Sequence, residues 1–214
     1  MPADVNSITL YQRPDCPFCW KVRLAAFESG VNISEIEVQL DKKHPDVVRL
    51  NPNETVPVLL DDHLVINESS EIIEYLIDQA PHMELMPGPA KIRATIRQLH
   101  HYSDHQLGKI LFPYIKEKRD SENCTVRDEL KESTKHAWYE AQSILSEKLG
   151  KRDFFADEFS VAECALLPRF CLAVTHGLPI AEQFQNLKKW YARCADRPSF
   201  KKAMPQYFPG LAQH

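Results

Sequence analysis

The segment APHMELMPGPA, at residues 80–90, constrains the fold of this 214-residue chain more than any other stretch. Pro81, Pro87 and Pro89 lack a backbone donor and Gly88 is the most permissive residue, so no regular element is expected to run through it. Before it, short strand-like and helix-like patterns alternate. SITLYQ (residues 7–12) reads as a strand, and Pro17 then starts a helix, FCWKVRLAAFES, that stops at Gly30. SEIEVQL (34–40) alternates again, and a short segment follows at 44–50. VPVLL and LVIN flank Asp61-Asp62-His63 as a hairpin. Ser69 and Ser70 precede EIIEYLIDQA, whose Ile72, Ile73, Leu76 and Ile77 share one helix face. The order is βαβαββα.

After the segment only helical periodicity is present. Ile92, Ile96, Leu99 and Tyr102 recur at helical spacing, as do Leu130, Ala137, Ala141 and Ile144. FSVAECALLPRFCLAV opens with Ser160 and Glu163, the Ser-x-x-Glu of a capping box, and Pro168 predicts a kink. NLKKWYARCADRPSF presents Leu187, Trp190, Tyr191 and Cys194 as an apolar stripe. The expected organisation is an α/β domain at 1–80, a Pro-rich linker at 81–91 and an all-α, helical-bundle domain at 92–214.

A net charge of −4 and a pI near 6.1 give no basic field, so no direct contact with nucleic acid or anionic membrane is expected. No apolar run approaches the roughly 20 residues of a membrane span, and the first residues show no export signal. These readings predict a cytoplasmic protein. In a reducing compartment the six cysteines need not form disulfides. A zinc site would need two more ligands at suitable spacing, and no second CxxC or CxxH is present, so no metal is expected. Cys164 and Cys171, seven apart in an apolar helix, read as buried packing.

The chemistry concentrates in Cys16-Pro17-Phe18-Cys19, directly after a strand and at a helix start. The first helical turn leaves N–H groups unpaired and carries partial positive charge, both of which stabilise a thiolate. An ordinary thiol is only about 3% ionised at neutral pH, whereas helix-start cysteines reach pKa values of about 5. Cys16, at the exposed end, is the candidate nucleophile, and Cys19, one turn inward, the candidate resolving thiol. Lys21 and Arg23 follow on the same helix, but the sequence does not give their direction relative to the thiols. Downstream, Pro57 follows β-branched Val56 at a strand start, where a cis peptide can sit. A cis bond there would leave the Val56 backbone free for an extended, peptide-like ligand. Glu68 and Ser69 open the next helix, whose amides suit a carboxylate while Glu68 suits an ammonium.

Strand, CPFC helix, Thr-Val-Pro, Glu-Ser-Ser, Pro-rich linker and helical domain together resemble the cytosolic glutathione S-transferase superfamily over nearly the whole chain. The resemblance implies a thioredoxin-like N-terminal domain and a folding motif at FSVAEC, with Glu163 where Asp is usual. It implies glutathione as co-substrate, a homodimer, and specific contacts. Val56 would pair with the cysteinyl part, Glu68 and Ser69 would hold the γ-glutamyl end, and Lys43 would meet the glycyl end. CPFC resembles the cysteine-type members, namely omega-like, dehydroascorbate-reductase-like and glutaredoxin-like proteins. These form mixed disulfides with glutathione and catalyse thiol–disulfide exchange, so the expected partners of this chain are glutathione and a small disulfide or electrophilic substrate. LNPNETVPVLLDD, ELMPGPA and FFADEFSVAECALLP also resemble the stringent starvation protein A group, which implies RNA polymerase as a partner; typical members of that group lack the cysteine pair.

HHYSDH (residues 100–105) places His101 and His105 four apart on one helix. With no HExxH glutamate and no third ligand, a solvated face or a substrate-cleft wall is the expected role. Tyr102, His105 and Phe112 are accordingly candidates for second-substrate contacts.

Overall fold

The computed structural model describes residues 8–39, 42–80, 85–121 and 124–205. Ser7 and Leu40 of the expected strands, Pro81 of the expected linker and residues 206–214 lie outside the described residues. The described chain separates into two compact units. One gathers the residues up to Leu85 together with those from Pro198 onward; the other runs from Met86 to Arg197.

The first unit contains β1 (Ile8–Gln12), α1 (Pro17–Ser29), β2 (Ile33–Glu37), α2 (Pro45–Leu50), β3 (Val58–Asp61), β4 (Leu64–Ile66) and α3 (Ser69–Gln79). The expected βαβαββα order is therefore present. The sheet order is β2-β1-β3-β4. β1 runs parallel to β2, with Leu10 opposite Glu35, and antiparallel to β3, with Leu10 opposite Leu59. A parallel pair needs a crossover, which α1 supplies; the β3–β4 hairpin needs only the Asp62-His63 turn.

Alternation along the strands divides the core. Tyr11 and Val58 face one side and pack with Val38 and Val47, while Leu10 and Leu59, neighbours across the ladder, are fully buried on the other. α1 is buried along most of its length, including Trp20, Val22 and Leu24, and stops at Gly30, whose φ of 71° is left-handed. β2 ends at Glu37, earlier than the alternation at 34–40 predicts, with one further bond from Val38 N to Gln12 O at 2.8 Å.

The second unit is helical. α4 (Ala90–Tyr102) continues through a π-helical turn (Ser103–Leu107) into α5 (Gly108–Asp120), followed by α6 (Asp128–Leu149), α7 (Val161–Thr175) and α8 (Gln185–Ala195). α7 is the buried centre: every residue from Val161 to Ala173 is buried, Cys164 and Cys171 among them. Trp138, Phe170, Trp190 and Phe155 meet edge-on there, with ring centroids 4.9–5.5 Å apart. α6 departs from the expected stripe. Its buried face is Thr134, Trp138, Ala141, Gln142, Leu145 and Leu149, whereas Ile144 is 44% exposed. Burying the Trp138 ring against Phe170 rotates the helix away from the Ile144 phase.

The capping box forms as expected. Glu163 Oε2 accepts from Ser160 N at 2.9 Å and Ser160 Oγ at 2.7 Å, and Oε1 accepts from Phe155 N at 2.8 Å. Burial pushes the Glu163 carboxyl upward, and these donors oppose that shift. The stretch read as one amphipathic segment breaks after α8. A short α9 (Pro198–Ala203) starts at Pro198 and packs on α1 in the first unit, through Phe200 stacked on Trp20 at 5.8 Å.

Candidate active site

The site grows from the loop between β1 and α1. Cys16 is the N-cap of α1 in extended conformation, and Pro17 occupies the first helical position, where its missing N–H costs nothing. The Cys16 N–H donates to Arg13 O at 3.1 Å, closing the turn. The sulfur sits at the positive end of α1, where the first-turn amides of Phe18 and Cys19 favour its charged form without a formal capping bond.

These contacts set the two thiols apart. Cys16 is brought down to about 6, chiefly by a hydrogen bond from the Cys19 thiol. Burial opposes the shift, while the backbone amides and the Arg13 guanidinium support it. Cys19 moves the other way, well above the ordinary thiol range, because it is fully buried and donates its proton to Cys16. The Arg13 N–H, 3.4 Å from Cys19 Sγ, only partly offsets that. The Cys19 thiol thus favours the charged form of Cys16 while its own pKa is raised. At pH 7 a group of pKa about 6 is about nine-tenths ionised.

Cys16 opens on a cavity of about 520 Å³ within the first unit, a size that suits a small-molecule ligand. Val56, Thr55 and Val38 form part of its wall, and Arg13, Lys42, Lys43 and His44 set cationic or ionisable groups around it. Glu54 also lines it, ion-paired with Lys43. The surplus of positive charge fits an anionic ligand such as a peptide carboxylate.

The strand that borders the cavity is shaped by buried Asn51. Its Nδ2 donates to Thr55 O at 2.8 Å, its Oδ1 accepts from Asn53 N at 3.0 Å, and its carbonyl accepts from Glu54 N at 2.8 Å. This compact turn delivers Val56 and Pro57 to the start of β3, and the Val56–Pro57 peptide is cis.

The cavity brings together Cys16, Lys43 and Val56 of the expected site residues. Pro57 follows directly, and Phe18 lies on α1 with the Lys21 ammonium 5.5 Å from its ring centroid. Glu68 and Ser69 do not line this cavity. Glu68 is the exposed N-cap of α3, its carboxylate making no capping bond, and Ser69 is buried in the first turn.

Family models for the N-terminal and C-terminal domains of glutathione S-transferases match residues 10–87 and 102–198. The chain belongs to the glutathione S-transferase superfamily. It is 29% identical to Glutathione S-transferase Z2 of Arabidopsis thaliana over 207 residues, 93% of this chain and 90% of that protein. It is 26% identical to a Stringent starvation protein A homolog of Coxiella burnetii over 205 residues, covering 93% and 92%. A glutathione S-transferase from the Antarctic clam Laternula elliptica shares its structure with a TM-score of 0.82 at 26% identity, covering 97% and 95%.

The remaining expected residues belong to the helical unit. Tyr102 is half-buried, which pushes its hydroxyl pKa upward, and exposed His105 of the π-helical turn lies tilted against His101 of α4, ring centroids 4.1 Å apart. Phe112 is 61% exposed on α5. Among the described residues no group of three metal-ligating side chains is gathered, and no helix is long and apolar enough to cross a membrane. Sequence reasoning missed Arg13, His44 and Asn51. Arg13, three residues before Cys16, was detectable as a charge in the turn, whereas Asn51 acts only through the three-dimensional turn it organises.

Proposed function

We propose that this chain is a glutathione-dependent thiol transferase or disulfide reductase that uses Cys16 as its nucleophile. The observation that carries the reading is the placement of Cys16 at the N-terminus of α1, beside the buried Cys19 and at the wall of a cationic cavity, with its pKa lowered to about 6. Glutathione is the co-substrate of glutathione S-transferases, and the cationic lining of the cavity suits its carboxylates. The Val56 backbone would meet its cysteinyl part, Lys43 its glycyl carboxylate, and the α3 start with Glu68 and Ser69 its γ-glutamyl end. Tyr102 and His105 are proposed contacts for the second substrate.

In the forward step the Cys16 thiolate attacks one sulfur of a disulfide. When the substrate is a mixed disulfide of glutathione and the attacked sulfur is glutathione's, a Cys16–glutathione disulfide forms and the other sulfur leaves as the substrate thiolate. A second glutathione thiolate then attacks that disulfide, releasing oxidised glutathione and restoring the Cys16 thiolate. Cys19 is an alternative resolving thiol, but burial and its high pKa favour glutathione in that step. Conjugation of electrophiles is a weaker side activity in this reading. Incubation with oxidised glutathione, followed by peptide mass analysis, is expected to place one glutathionyl group on Cys16. A protein that stays unmodified there contradicts the reading.

The similarity to the stringent starvation protein A homolog supports a second reading, a regulator that binds RNA polymerase without catalysis. Recovery of polymerase subunits from a bacterial lysate, with no thiol turnover, would favour it. The family's typical homodimer and cytoplasmic placement are compatible with both readings.

A further inference from the structure

Arg23 lies seven residues beyond Cys16, two helical turns along α1, and is only 4% exposed. Its guanidinium reaches separate pieces of chain. Nη2 donates to Pro14 O at 2.9 Å and also to Ala203 O at 2.9 Å. Nη1 donates to the Gln12 side-chain oxygen and lies 3.5 Å from Arg13 O. Arg13 and Pro14 form the turn that ends at Cys16, and Arg13 O also accepts the Cys16 N–H. Ala203 is the last residue of α9, which is held on α1 by the Phe200–Trp20 stack, a Ser199–Glu28 hydrogen bond and the Lys202 ammonium 4.3 Å from the Phe27 ring centroid.

We infer that Arg23 is a positioning residue for Cys16, fixing the Arg13–Pro14 carbonyls around the thiol and coupling that geometry to the seating of α9. The inference rests on Cys16 being the reactive thiol. The carbonyls of an irregular turn need donors, and a planar guanidinium supplies several in one fixed fork, which an ammonium does not. The connection joins residues 180 or more positions apart through one buried group.

The charged surroundings are specific. Arg23 is faced by Glu35 of β2, its carboxylate 3.8 Å away, by Asp15 and by the two thiols. Lys202 of α9 lines the same 230 Å³ hollow as Arg23, Glu35 and Glu37. Cys16 is faced by Cys19 and Arg13, and across its cavity by Lys42, Lys43, His44 and Glu54. Loss of the fork removes a fixed positive group and releases the turn, and both changes reduce thiolate formation.

The test is the pH dependence of Cys16 alkylation by iodoacetamide in the full chain, read by mass spectrometry on the Cys16 peptide, alongside the melting temperature. Arg23→Gln is expected to raise the midpoint by about 1 unit, lowering the rate at pH 6 about fivefold. Arg23→Lys keeps the charge but not the fork and is expected to shift it less, in the same direction. Phe200→Ala, which loosens α9 while leaving Arg23 intact, should also raise it. A lower melting temperature with an unmoved midpoint in Arg23→Gln and Phe200→Ala makes the role merely structural and overturns the inference. Arg23→Lys indistinguishable from wild type beside a shifted Arg23→Gln overturns positioning in favour of charge alone. If Arg23→Gln does not fold, the Arg23→Lys and Phe200→Ala midpoints decide. Alkylation needs no glutathione, so an Arg23-dependent midpoint without disulfide turnover keeps the positioning role and refutes the enzymatic reading.

Discussion

At the residue scale the two cysteines of CPFC have opposite tasks. Cys16 bears the charge, and Cys19 supplies the hydrogen bond that makes the charge affordable in a buried position. Because the Cys16 pKa is depressed, reactivity is lost as pH falls through about 6 and is level above neutrality. Cys19→Ala removes the largest stabilising contact. Its alkylation midpoint is expected to rise by about 1 unit or more, leaving reaction at pH 9 little changed. An unmoved midpoint would show that the helix-start amides and Arg13 suffice. The placement of Cys16 at the start of α1 was legible in the sequence because strand, CxxC and Pro17 are local signals. The donor role of Cys19 was not, since it depends on burial and on where its S–H points.

At the element scale, local rules account for most of the architecture. Pro17 and Gly30 bracket α1, and Ser160 with Glu163 starts α7 as the motif demands. Reading fails where packing overrides periodicity. The α6 stripe is set by Trp138 meeting Phe170, and α9 separates from α8 to stack Phe200 on Trp20. The capping box has a measurable weight. Ser160→Ala is expected to destabilise the protein by about 1 kcal/mol. Glu163→Ala strands the buried Phe155 and Ser160 amides and is expected to cost about 2–4 kcal/mol in chemical denaturation. Equal, negligible effects of both changes would show that the α7 start is held by its apolar contacts alone.

At the scale of the whole molecule, chain order and spatial grouping differ, since residues from Pro198 onward join the first unit. The composition change at APHMELMPGPA marks a real transition from sheet to helices, but nothing in sequence periodicity reveals that return. If the cationic cavity holds glutathione, the native state gains stability by mass action. Ligand at 100 times its Kd is expected to contribute about 2.7 kcal/mol and raise the melting temperature. The same rise is expected in Cys16→Ser, because the cavity rather than the thiol supplies most contacts. No shift in either protein would deny the cavity this ligand. The most direct measurement is the rate of glutathione-dependent reduction of a small disulfide by wild type and by Cys16→Ser. The account predicts turnover by wild type and a loss of about 100-fold or more in the variant, since a serine hydroxyl is not ionised at neutral pH. Equal rates for the two proteins would contradict it.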